Sequence, residues 1–164
     1  MKRLALILLL TGGTAAAQNT PRLPQCNLQN LPGAYAVTYQ GWLAVPLPGS
    51  APLQMPGVIM GVLTISPTGA VTGNATVITP SGKSVWEMTP GSFVDIGRDC
   101  TGTMTLYSRL KGSSDVPSKE IDRFALVRGS GELVVIMEEL DWGAIPMCLG
   151  SWKRLTSWPN EAEW

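Results

Sequence analysis

Apolar residues in this chain recur at every second position in short runs, and a cluster of Gly, Pro or Ser closes almost every run. Tyr35, Val37, Tyr39 and Leu43 share one parity, and Thr38 and Gln40 take the other. A period of two places side chains on alternate faces of a strand, whereas a helix needs a period near 3.6. No stretch sustains the helical spacing over three turns. The chain is therefore confined to strands joined by tight turns, and the fold class expected is all-β.

The runs follow one another at short spacing. Gly33 to Leu43 is a strand, and Pro46-Leu47-Pro48-Gly49-Ser50-Ala51-Pro52 is a loop. Gly57 to Ile65 is apolar on both parities. Ser66-Pro67-Thr68-Gly69 turns the chain, with Pro suited to the first corner and Gly to a positive φ, and Ala70 to Ile78 returns as its hairpin partner. Ser84–Thr89 and Ser92–Ile96 read as one bent strand or two short ones, interrupted at Pro90-Gly91. Asp99-Cys100-Thr101 opens a strand rich in β-branched residues that runs to Leu110. Lys111 to Ser118 is a loop, Glu120 to Arg128 a strand, Gly129-Ser130-Gly131 a tight turn, and Glu132 to Glu138 its partner. Trp142 to Leu155 is a last strand weakened by Pro146. About eight strands with short turns form an antiparallel meander, and closing it into a barrel removes both exposed edges.

The N-terminus differs. Met1-Lys2-Arg3, an apolar run from Leu4 to Leu10 and Ala15-Ala16-Ala17 match a secretory signal peptide, so residues 1–17 are expected to be removed. The expected organisation is signal 1–17, an extended proline-bearing arm 18–32, a barrel domain 33–155 and an irregular tail 156–164. Without Lys2 and Arg3, ten basic residues face twelve acidic ones, a net charge of −2 with no basic run. That argues against nucleic acid as a partner, and no apolar segment after the signal is long enough to span a bilayer as a helix. Pro159, Glu161 and Glu163 spoil the alternation that a final outer-membrane strand would need. The protein is expected to be periplasmic or secreted. In such a compartment the three cysteines, Cys26, Cys100 and Cys148, form one disulfide and leave one thiol. Spacing does not choose among the three pairings; Cys26–Cys100, which would staple the arm to the central strand, is favoured. The chain has no His and no C-x-x-C pair, so neither a metal site nor a cofactor is expected.

Cys26 ahead of Gly33-x-Tyr35, then Gly41, Ser66-Pro-Thr-Gly69-Ala-Val-Thr-Gly73 and Asp99-Cys-Thr-Gly-Thr103 resemble the pattern of a group of small exported bacterial proteins. The resemblance spans residues 26–155. It implies a calycin-like or allene-oxide-cyclase-like barrel of about eight strands, and no established activity. It brings no catalytic residues, because the shared motifs are turns and strand starts. The lipocalin G-x-W opening is replaced by Gly33-x-Tyr35.

Three readings of function follow. An eight-stranded barrel is wide enough either to be filled by side chains or to hold one small ligand. Tyr35, Tyr39, Trp42, Trp86, Met88, Met104, Tyr107 and Met137 are candidates to line a pocket, or simply to fill the core. Of these, Tyr35, Tyr39, Trp86, Met88, Met104, Tyr107 and Met137 are the preferred ligand-binding set. Alternatively, the barrel is a cofactor-independent cyclase or isomerase of the allene-oxide-cyclase or dirigent type. That chemistry needs an apolar cavity and one acid or base of shifted pKa. Glu87, Asp95, Asp122 and Glu138 interrupt strands and are the carboxylates to consider, with Arg109 and Arg123 as counter-charges. Glu87 has the opposite parity to Trp86 and Met88, so it points outward if they point in. Finally, Val58–Ile65 and Leu133–Met137 are apolar on both parities, which leaves an apolar outer face for a protein partner, most simply a second copy of the chain. The favoured reading is an exported, non-catalytic barrel that binds a small apolar molecule or a protein partner.

Overall fold

A computed structural model describes residues 26–127, 131–141 and 143–155. The expected signal segment 1–17, the first part of the expected arm, the expected turn at Gly129-Ser130 and the expected tail 156–164 lie outside them. The described chain is built of nine antiparallel strands: β1 Gly33–Val45, β2 Leu53–Ile65, β3 Val71–Thr79, β4 Gly82–Met88, β5 Phe93–Ile96, β6 Thr101–Leu110, β7 Ser118–Val127, β8 Glu132–Leu140 and β9 Ile145–Arg154. β1 pairs with both β2 and β9, and β4 pairs with β6, so the sheet closes into an eight-stranded barrel with β5 as an additional strand. The only helical element among the described residues is a 3-10 turn, Leu28–Asn30, so the arm expected to be extended is locally coiled there.

β4 and β5 fill one slot. β4 pairs with β3 and with the second half of β6, and β5 with the first half of β6, with a single bridge from Phe93 to Ala70. The break at Pro90-Gly91 leaves Tyr107 of β6 without a β4 or β5 residue opposite it. Ser92 and Thr89, both buried, take that place. Tyr107 N–H donates to Ser92 Oγ (2.8 Å), and Tyr107 C=O accepts from Thr89 N–H (2.7 Å) and from the Ser92 hydroxyl (3.1 Å). The backbone groups freed by the break are thereby satisfied.

β2 runs further than expected: it starts at Leu53 rather than Gly57 and includes Pro56, while β9 lies within the expected Trp142–Leu155 and includes Pro146. Residues 53–57 pair with β1 but have no partner on β3, and Pro146 pairs with β1 beyond the end of the β8 ladder. A proline lacks the N–H that a second neighbour would need, and here there is no second neighbour.

The barrel is solid at one end. Leu31, Tyr35, Val71, Val94, Phe124, Leu133 and Trp152 pack there, all essentially inaccessible to solvent. The arm forms the stopper. Leu31 is fully buried, its carbonyl accepts from Tyr35 Oη (2.6 Å), and Cys26 is joined to Cys100. Arg154 spans the same end: its guanidinium donates to Tyr35 Oη (2.9 Å) and to the Asn30 carbonyl, and lies over the Tyr35 ring.

The outside is two-sided in character. Hydrogen-bond register aligns Ile136, Leu149, Gln40, Val58 and Ile78 in one row across β8-β9-β1-β2-β3, and Met147, Trp42 and Pro56 in the next. These rows carry no charge, and Ile136, Leu149 and Met147 are each more than half exposed. The outer face of β4, β6 and β7 is instead charged, with ion pairs Arg109–Glu87 and Arg123–Glu138, both at 2.8 Å.

Candidate functional site

Above the packed end the barrel interior opens into a cavity of about 320 Å³, large enough for on the order of ten water molecules. Strand parity selects its lining. Val37, Tyr39 and Leu43 come from β1, Ile59 and Leu63 from β2, Ala75 and Val77 from β3, Trp86 and Met88 from β4, Leu106 from β6, and Met137 and Leu140 from β8. The mouth is rimmed by Thr79, Ser81, Ser84, Ser108 and Ser118. Gly57 of β2 also faces in. A side chain there would begin in open space, its first carbon 3.8 Å from the nearest atom, the Ile78 carbonyl.

The floor is polar and buried. Trp152 Nε1–H donates to Tyr39 Oη (2.9 Å), and the Tyr39 hydroxyl donates in turn to Asp122 Oδ2. Gly150 makes this possible: a Cβ at that position would lie 2.6 Å from the Tyr39 ring. Asp122 is wholly inaccessible, and its second oxygen, Oδ1, has no hydrogen-bond partner. Glu120, two residues earlier on β7 and so on the same face, stands beside Asp122 and lines the cavity. Its side chain is half-buried and borders the open cavity. Opposite the pair, β8 slips by one residue between its contacts with Ile121 and Asp122. Met137 therefore faces Asp122, Leu140 faces Glu120, and Glu138 bulges outward to Arg123.

Electrostatics follow from this placement. Burial, then the adjacent Asp122 charge, push the Glu120 carboxyl well above the ordinary carboxylate range. Burial lifts Asp122 to about 6, although hydrogen bonds from Tyr39 and Glu120 hold it down. Two carboxylates in one apolar enclosure do not both ionise readily. Burial and the shared charge favour the state in which the pair holds a proton, and a proton on Glu120 would supply the donor that Asp122 Oδ1 lacks. Burial, reinforced by Asp122, also pushes the Tyr39 hydroxyl far up, and burial plus the Glu120 charge raise the Cys148 thiol, so both stay protonated. Cys148 is the free cysteine, buried in the cavity wall, its Sγ 3.8 Å from the Trp42 carbonyl.

The sequence-derived candidates divide. Tyr39, Trp86, Met88 and Met137 line the cavity. Tyr35 and Met104 are fully buried in the packed end and outside it. Tyr107 and Trp42 have the outward parity: Tyr107 lies beside Gly91 on the surface, and Trp42 belongs to the exposed apolar rows. Among the carboxylates, Asp122 alone points in. Glu87 and Glu138 form the outer ion pairs, and Asp95 is exposed. Glu120 was not among the candidates because it stands at the start of its strand, where a charge reads as solvated. Its shared parity with Asp122 and Phe124 is the signal that places it inside. The groups of three or more His, Cys, Asp or Glu that a metal ion needs are absent from the described residues. No protein-family model, curated protein or solved structure matches this chain.

Proposed function

We propose that this protein binds a small, mainly apolar molecule inside its barrel and performs no chemistry on it. The observation that carries the reading is the division of the interior: one end is filled, and the other is left as a cavity of about 320 Å³, open at its rim and lined by apolar and aromatic side chains. That volume lies at the lower end of ligand pockets. A calycin-like affiliation and export from the cytoplasm belong to the same proposal. The closed barrel supports the first, and the Cys26–Cys100 disulfide suits an oxidising compartment. Native mass spectrometry of the protein purified from its own compartment is expected to show a bound small molecule. Gly57→Trp, which projects into open space, is expected to fold and to lose that mass. Retention of the same mass by the variant refutes the reading.

One observation favours a catalytic alternative. A carboxyl that burial pushes well above its ordinary range touches the open cavity, and a protonated Glu120 is equipped to act as a general acid. A cofactor-independent cyclase or isomerase would use it so. Turnover of a captured ligand by the wild-type protein, lost in Glu120→Gln, decides for this alternative.

For the uncharged outer rows we propose a second copy of the chain as the partner. Six large apolar side chains in those rows, 40–56 % exposed, form one continuous patch, and a stable interface buries about 800 Å² per partner. Charge is depleted at interface centres, and these rows hold none.

A further inference from the structure

The cavity floor is richer in acceptors than in donors. Trp152 N–H is committed to Tyr39, and Tyr39 O–H to Asp122 Oδ2. Asp122 Oδ1 is buried without a partner, and the donor nearest to hand is the carboxyl proton of a protonated Glu120. A guest that accepts that proton in a hydrogen bond takes it from Asp122 and leaves a buried charged oxygen unpaired, a penalty worth an order of magnitude or more in affinity. A guest that brings its own donors and a positive charge meets no such penalty. The groups facing Glu120 sharpen the choice. Asp122 lies on β7 itself, Tyr39 on β1 and Cys148 on β9, and Glu138 of β8 acts on Asp122. The lining from β2, β3, β4 and β6 is apolar or hydroxylic, and no Lys or Arg lines the cavity. The enclosure is thus anionic with no counter-cation.

We propose that the cavity selects a small hydrophobic amine, seated as its ammonium ion at Glu120 beside Asp122, with its apolar body against Trp86, Met88 and Met137. This rests on the cavity-binding reading above. The exchange balances. The guest enters as an ammonium with three N–H donors, Glu120 releases its carboxyl proton to solvent, and the buried charge stays at one negative unit before and after.

Isothermal titration calorimetry with hexylamine, 1-hexanol and hexanoate tests it. Each is titrated in phosphate and in Tris at one pH, so that the difference in buffer ionisation heat counts protons. Hexylamine is expected to bind at least tenfold more tightly than 1-hexanol and to release one proton. Its affinity is expected to rise close to tenfold per pH unit until Glu120 ionises unaided. Hexanoate is expected not to bind, and Glu120→Gln to lower hexylamine affinity at least tenfold. If that variant does not fold, the wild-type proton count decides alone. Equal or tighter binding of 1-hexanol or hexanoate, or amine binding without proton release, overturns the amine assignment and leaves the cavity reading standing. No heat from any of the three at millimolar concentration overturns both.

Discussion

Acidification from pH 7.5 to pH 5 is expected to stabilise this protein. A carboxyl whose pKa is higher in the folded state than in the unfolded one holds its proton more tightly when folded. Its contribution is fully present below the unfolded pKa and is lost as pH rises through the folded one. For Asp122 the window runs from an ordinary 3.8 to about 6, which amounts to about 3 kcal/mol in all. About half of that falls between pH 5 and 7.5. Glu120 is raised well above its ordinary range and acts in the same direction. Competing titrations are scarce in this interval. The chain has no histidine. Asp99 is lowered, chiefly by the Thr101 backbone N–H, so it acts only at more acid pH and with the opposite sign. Tyr39 and Cys148 are raised and act only in alkali. A change of about 1–2 kcal/mol is several degrees in a domain of this size. Differential scanning calorimetry should therefore give a Tm at pH 5 several degrees above that at pH 7.5. Asp122→Asn combined with Glu120→Gln should flatten the dependence. A higher Tm at pH 7.5, or an unchanged slope in the double variant, would refute the assignment of a buried, proton-holding pair.

Reduction of Cys26–Cys100, which closes a 74-residue separation, should lower the urea-unfolding free energy by about 4 kcal/mol; an unchanged midpoint would show that the arm does not clamp the barrel. Tyr39→Phe removes the donor to Asp122 and the acceptor of Trp152 N–H, and should cost about 1–3 kcal/mol at pH 7.5 and less at pH 5, where Asp122 is protonated; urea midpoints at the two pH values measure this. Leu149→Lys places a charge in the middle of the apolar rows, and sedimentation velocity should show a dimer in the wild type and a monomer in the variant; a monomeric wild type refutes the second-copy proposal.

The barrel was legible in the sequence because a period of two, once read, fixes which side chains share a face. Tyr35, Val37 and Tyr39 point in, and Glu87 points out because Trp86 and Met88 point in. The favoured cysteine pairing is also the one the structure contains. Parity was misapplied at Tyr107, where aromatic character outweighed its position one residue after Leu106. It was not applied at all at Glu120. What no local pattern encodes is depth along the barrel axis. Met104 and Met137 look alike in sequence, yet one is packed solid and the other borders open space. That difference depends on strand stagger, on the bulge at Glu138 and on the arm that plugs one end only. The early start of β2, with Pro56 inside it, escaped notice for a related reason: whether a strand residue has one neighbour or two is set by the closed sheet.

A wall filled at its base and vacant at its rim separates two duties along each strand. Residues near the stopper bear the cost of any change in volume, since nothing there can give way. Those near the rim can be exchanged for larger or smaller ones with little harm to folding. The same scaffold is therefore free to be refitted for a different guest by altering the upper halves of its strands alone.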